Sequence, residues 1–85
     1  MNINEKLKEI IVEVAIREID SSLITNETVL TSDLSFDSVQ IISLIVELES
    51  EFEIEIEDED LDIEKLTVYK NLHEMVSQKI REKEL

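Results

Sequence analysis

The sequence predicts an all-α fold: a four-helix bundle with a long first loop and a short third helix. Two observations carry that expectation. Apolar residues recur at spacings of three and four in separate stretches, and only one short run alternates with period two, leaving it no second strand to pair with. Neither an internal repeat nor a second domain is visible, so residues 1–85 are expected to form one domain with a folded core over about residues 3–80. Gly and Pro are both absent, so boundaries are read from clusters of Ser, Thr, Asn and Asp.

The first helix is expected over residues 3–19. Ile3, Leu7, Ile10, Ile11 and Val14 share a face, Lys6, Glu9, Glu13 and Arg17 lie on others, Asn2 with Glu5 resembles a capping pair, and Asp20-Ser21-Ser22 ends the pattern. Residues 21–37 keep no period and read as a long loop pinned by Leu23, Ile24, Val29, Leu30, Leu34 and Phe36. Ser38 is a good N-cap for a second helix, Val39 to Phe52, with Ile41, Leu44, Ile45, Leu48 and Phe52 as its core stripe. Phe52 to Glu57 is the alternating run and is not expected to pair. Leu61 to Leu66 suggests a short third helix. Thr67 is expected to cap the last helix, whose Val68, Leu72, Met75 and Val76 face inward, and Arg81 to Leu85 to fray.

Composition narrows the function. Eight Lys and Arg against 22 Asp and Glu give a formal charge of −14, which argues against nucleic acid as a partner. There is no cysteine, and His73 is the only histidine, so disulfides, Cys/His zinc sites and thiol catalysis by the chain's own side chains are excluded. The longest apolar runs are three residues, far short of a membrane span, and the N-terminus lacks the basic start and apolar stretch of a secretory signal. An intracellular, cytoplasmic monomer is expected.

Of the acids, 13 lie between Asp33 and Glu64, a stretch without Lys or Arg. Solvated helix faces explain surface charge in general but not this segregation, which suits steering toward a basic partner. On the second helix Val39, Ile42 and Val46 form an apolar ridge displaced from the core stripe. They either border the core or anchor a docking surface with an acidic rim.

Catalytic readings fail on inspection. Ser38 beside Asp37 lacks a positioned base and an oxyanion hole, and His73 reads as a surface residue. Glu47 and Glu51, one turn apart, read as solvated carboxylates rather than an acid/base pair. Asp58, Asp60 and Asp62 open like a calcium-binding loop, but Ile63 stands where Gly is needed and Tyr69 where the bidentate Glu belongs. Ser38 remains either as an ordinary N-cap, which Asp37-Ser38 alone would favour, or as an acceptor of modification at a helix N-terminus that favours an attached phosphate.

The segment Leu30-Thr31-Ser32-Asp33-Leu34-Ser35-Phe36-Asp37-Ser38-Val39, followed by Ile41, Ile42, Leu44 and Glu47-Leu48-Glu49, resembles the acyl carrier protein family. The likeness runs on through Phe52 to Asp60 and Thr67-Val68, covering about residues 3–80. It implies that a phosphopantetheinyl transferase, using coenzyme A and magnesium, attaches a 4′-phosphopantetheine arm to Ser38, and that the arm's thiol carries acyl groups as thioesters. Asp37 matches the acidic residue before the modified serine. Glu47 and Glu49 fall in the family's acidic recognition helix, and Val39 and Val46 match its partner-contacting apolar positions, on the same helix face as the ridge that includes Ile42.

The implied partners are the transferase and the acyl-loading, acyl-transfer and synthase enzymes with basic docking patches. Ser35, Val39, Ser43 and Glu57 replace the family's common Gly, Leu, acid and Pro, so a dedicated lipid, polyketide or amino-acyl pathway competes with housekeeping fatty acid synthesis. An amino-acyl or peptidyl carrier and an unmodified acidic adaptor are the alternative readings.

Overall fold

The computed structural model describes residues 2–15 and 18–84. Five α-helical segments follow one another: α1 (Ile3–Val14), a single turn α2 (Leu30–Asp33), α3 (Ser38–Phe52), a single turn α4 (Ile63–Leu66) and α5 (Tyr69–Glu84). Single 3₁₀ turns lie at Ser21–Leu23 and Asp58–Asp60, and the described residues contain no strand. The expected bundle is therefore present, with α4 as its short third helix and α2 as an extra turn inside the long loop.

The α1 helix starts where the sequence places it, because the Asn2 side chain accepts the Glu5 N–H at 3.1 Å. It stops earlier than expected. Ala15 is extended at ψ 137°, and the rest of the expected helix includes Ile16 and Arg17, which lie outside the described residues. Asp20-Ser21-Ser22 forms its own turn, in which Asp20 accepts both the Ser22 N–H at 2.9 Å and its hydroxyl at 2.8 Å. Short polar side chains that satisfy nearby backbone in this way compete with helix.

Ile24, Leu30 and Phe36 pin the long loop, while Leu23 is 72% exposed and pins nothing. Backbone bonds add a second tether. Leu30 N–H donates to Thr67 C=O at 2.7 Å and Tyr69 N–H to Thr28 C=O at 2.8 Å, around an antiparallel bridge between Val29 and Val68. The Thr67 hydroxyl points back to the Glu64 carbonyl at 2.9 Å instead of capping the last helix.

The core stripe of α3 is buried as expected and packs with Leu7, Ile10 and Ile11 of α1 and Leu72 and Val76 of α5. Tyr69 joins this core, its hydroxyl donating to Asn4 Oδ1 at 2.7 Å. After α3 the chain turns through Glu53 in the left-handed region, at φ 53° and ψ 49°, a conformation that glycine usually supplies at helix ends of this kind. The alternating run then lays Ile54 and Ile56 into the core and leaves Glu53, Glu55 and Glu57 in water without any strand partner. The expected fraying at Arg81 does not occur. Helix α5 runs to Glu84 because Lys83 reaches across to the Phe52 carbonyl at 3.1 Å, a favourable cation at the C-terminus of α3; Leu85 lies outside the described residues.

Candidate functional site

Local chemistry fixes how α3 begins. Ser35 takes the left-handed conformation at φ 58°, and the buried Phe36 next to it donates its N–H to the Leu30 carbonyl at 3.0 Å. The chain then enters α3 through Asp37, and Asp37, not Ser38, is the N-cap. Its Oδ1 accepts the Gln40 N–H at 2.8 Å while Gln40 Oε1 accepts the Asp37 N–H at 3.1 Å. Aspartate and glutamine three residues apart close a capping box, and Asp37-x-x-Gln40 was the signal in the sequence for it.

That box corrects the expected role of Ser38 as a cap. Ser38 becomes the first residue of the helix, exposed, and its hydroxyl makes no hydrogen bond to the described residues. The N–H groups of Ser38 and Val39 likewise have no acceptor among them, as the first turn of a helix requires unless something outside supplies one. A hydroxyl with no structural task therefore stands at the positive end of a 15-residue helix.

The apolar ridge does not border the core. Val39 is 69%, Ile42 61% and Val46 56% exposed, and their spacing sets them along one side of α3. Isolated exposed apolar residues are ordinary, but three in register beside an exposed serine are a candidate contact surface. Glu47 is exposed next to this ridge. Glu49 is half-buried, and its Oε2 accepts the Ile56 N–H at 3.1 Å, so it also holds the alternating segment against α3.

The other carboxylates the sequence singled out lie elsewhere. Glu51 pairs with Lys6 at 2.9 Å, which raises the Lys6 ammonium above its ordinary value. Asp60 accepts from Lys79 at 2.7 Å and from the Glu57 N–H at 3.0 Å, and these bonds hold its carboxyl below the usual range. The side chain of Asp58 lies outside the described residues. His73 is half-buried with its ring 6.2 Å from that of Tyr69. No cluster of three or more His, Asp or Glu suited to a metal ion occurs among the described residues, and no described helix is long and apolar enough to cross a membrane.

Comparison with known families gives a match. The family described as "phosphopantetheine attachment site" matches residues 5–77. No curated protein matches the chain.

Proposed function

The chain belongs to the phosphopantetheine attachment family, whose members are non-catalytic carriers of a 4′-phosphopantetheine group, and from that premise we propose that Ser38 is its attachment point. The observation that carries the proposal is the unengaged hydroxyl: the capping duty falls on Asp37, so Ser38 can be esterified without loss to the fold. Carriers of this family work with phosphopantetheinyl transferases and synthase enzymes. Here the Ser38 Oγ would attack the phosphate of coenzyme A that bears the pantetheine arm. The Oγ–P bond forms, the pyrophosphate P–O bond breaks, adenosine 3′,5′-bisphosphate leaves, and the serine proton passes to a base of the transferase.

The residues around Ser38 suit the phosphodiester. The Ser38 and Val39 N–H groups and the α3 dipole favour a negative charge there, while the Asp37 carboxylate is turned to Gln40. The arm supplies the thiol, and hence the thioester chemistry, that a chain without cysteine lacks. We assign docking to Val39, Ile42 and Val46 with Glu47, and Glu49 contributes charge while bracing Ile56. The cargo we propose is an acyl intermediate of fatty acid, lipid or polyketide-type synthesis.

Intact mass tests this reading. Wild type and Ser38→Ala are incubated with coenzyme A, magnesium and a broad-specificity phosphopantetheinyl transferase. One phosphopantetheinyl increment on wild type alone is the expected result. An increment on both proteins moves the site away from Ser38. None on either, with the fold intact and the transferase active on a control carrier, leaves an adaptor working through the α3 ridge.

A further inference from the structure

Among the described residues the most exposed large apolar side chain is not on α3 at all: it is Leu23, in the long loop. Beside it lies an open cleft of about 570 Å³ whose apolar wall is Leu23, Leu34 and Ile19. Four carboxylates, Glu18, Asp20, Glu27 and Asp33, rim it. Asp20 is tied to Ser22, which keeps its carboxyl below the usual range, and Asp33 accepts the Val29 N–H at 2.8 Å, so two of the four are held in place.

No described base pairs with any of these four. The ion pairs lie elsewhere, at Glu51, Glu53 and Asp60, and two of those acids sit at or just past the far end of α3 from Ser38. An apolar wall inside an acidic rim complements a basic segment that carries Lys or Arg next to an apolar side chain.

We propose that this cleft is a second docking surface, occupied by a basic, partly apolar segment of the phosphopantetheinyl transferase that modifies Ser38. The proposal rests on the carrier reading and narrows it to one partner for a geometric reason. Synthase enzymes meet the cargo at the end of a long arm, whereas the transferase must bring a phosphorus atom onto the Ser38 Oγ itself. Leu34 is four residues before Ser38, so this part of the cleft wall lies within about 14 Å of it along the chain. A specific interface takes about 20–30 residues on each side, more than the α3 ridge and Ser38 offer. A transferase seated on Ser38 and the ridge thus extends over the neighbouring loop.

Initial rates of modification at varied carrier concentration test this on the intact protein. The variants are Leu23→Ser and the double Glu18→Gln/Glu27→Gln, with Glu74→Gln on α5 as control and circular dichroism to verify folding. Where an apolar side chain anchors an interface, its truncation weakens binding by about fivefold or more, so with Leu23 as an anchor KM should rise by that order in Leu23→Ser with kcat within about twofold. The charge variant should raise KM at low salt and approach wild type at high salt. Unchanged KM for both variants overturns the second surface while leaving Ser38 as the modified residue. An unmodified wild type overturns the carrier reading and this inference together.

Discussion

Asp37→Ala and Ser38→Ala should have opposite effects on stability and modification, although the residues are adjacent. Asp37 is the N-cap of α3 and accepts the Gln40 N–H at 2.8 Å. Losing an aspartate cap costs about 1 kcal/mol, within a range of about 0.5–2. For a domain of this size that lowers the melting temperature by about 4–8 °C. Asp37→Asn keeps an acceptor oxygen in place and should cost only a few tenths of a kcal/mol. Ser38→Ala removes a hydroxyl with no bond to the described residues, and its effect should stay within about 0.5 kcal/mol. Far-UV circular dichroism melts at fixed ionic strength read all three, and intact mass reads modification of the same samples. If Ser38→Ala melts as low as Asp37→Ala, Ser38 holds the helix after all and the argument for its freedom fails. Equal melting of Asp37→Ala and wild type would show that the capping box is idle.

Three further outcomes follow from the packing. Burial pushes the Tyr69 phenol up to about 12, and Tyr69 is the only tyrosine in a chain without tryptophan, so ultraviolet absorbance titrates it alone. The unfolded chain ionises its tyrosine near pH 10, so stability should decline as pH rises from there toward 12; a titration midpoint near 10 in the folded protein would contradict the burial. Glu53→Gly should stabilise the protein by about 0.5–1 kcal/mol, because glycine adopts the φ 53° of this helix end freely and the 3.5 Å contact of Glu53 with Lys83 is exposed; a drop in melting temperature would show that the pair outweighs the backbone. Lys79→Met tests the Asp60 pair across pH. The lowered Asp60 carboxyl contributes stability above its unfolded value near 3.9 that is lost as pH falls through its lower folded value, and the raised Lys79 ammonium contributes below its unfolded value near 10.4. Urea unfolding should therefore show a wild-type advantage at neutral pH that shrinks in acid, and a gap unchanged at the lowest pH would remove the pair as its cause.

Most of the fold was legible because helical periodicity reports burial directly. Every residue of the expected α3 stripe is buried, and Leu72 and Val76 of α5 are fully so. What the pattern missed involves partners remote in sequence or bonds between backbone and side chain. Lys83 keeps the last helix intact by reaching a carbonyl 31 residues away, and nothing local in Arg81 to Leu85 announces it. Tyr69 is buried through its hydroxyl's partner Asn4, 65 residues earlier. The register of the α3 cap was legible and misread, since Asp37 with Gln40 outcompetes serine alone by closing two bonds instead of one. The ridge was visible as a pattern, but only packing decides whether Val39, Ile42 and Val46 border the core or face water. Leu23 is apolar yet does not pin the loop, because hydrophobicity alone does not place a loop residue.

The outer side of α3 carries two acids that composition treats alike and structure separates. Glu47 stands in water with no bond to the described residues, so Glu47→Lys changes the field around Ser38 and little else. Glu49 accepts the Ile56 N–H, and its main-chain carbonyl takes the N–H groups of Glu53 and Ile54, so this one residue closes the end of α3 and aligns the alternating run. Glu49→Lys therefore removes a charge and also leaves a half-buried donor unpaired, at about 1–3 kcal/mol. Slower modification by the transferase is expected of both at low salt, where long-range attraction to a basic partner is strongest. High salt should return Glu47→Lys to the wild-type rate, since screening removes the difference between the two charges. It should not restore the melting temperature of Glu49→Lys, because the lost bond is short-ranged. Equal melting of the two variants would mean that the Ile56 bond holds nothing. A Glu47→Lys rate that stays low in high salt would mean that the partner touches Glu47 directly instead of sensing its field.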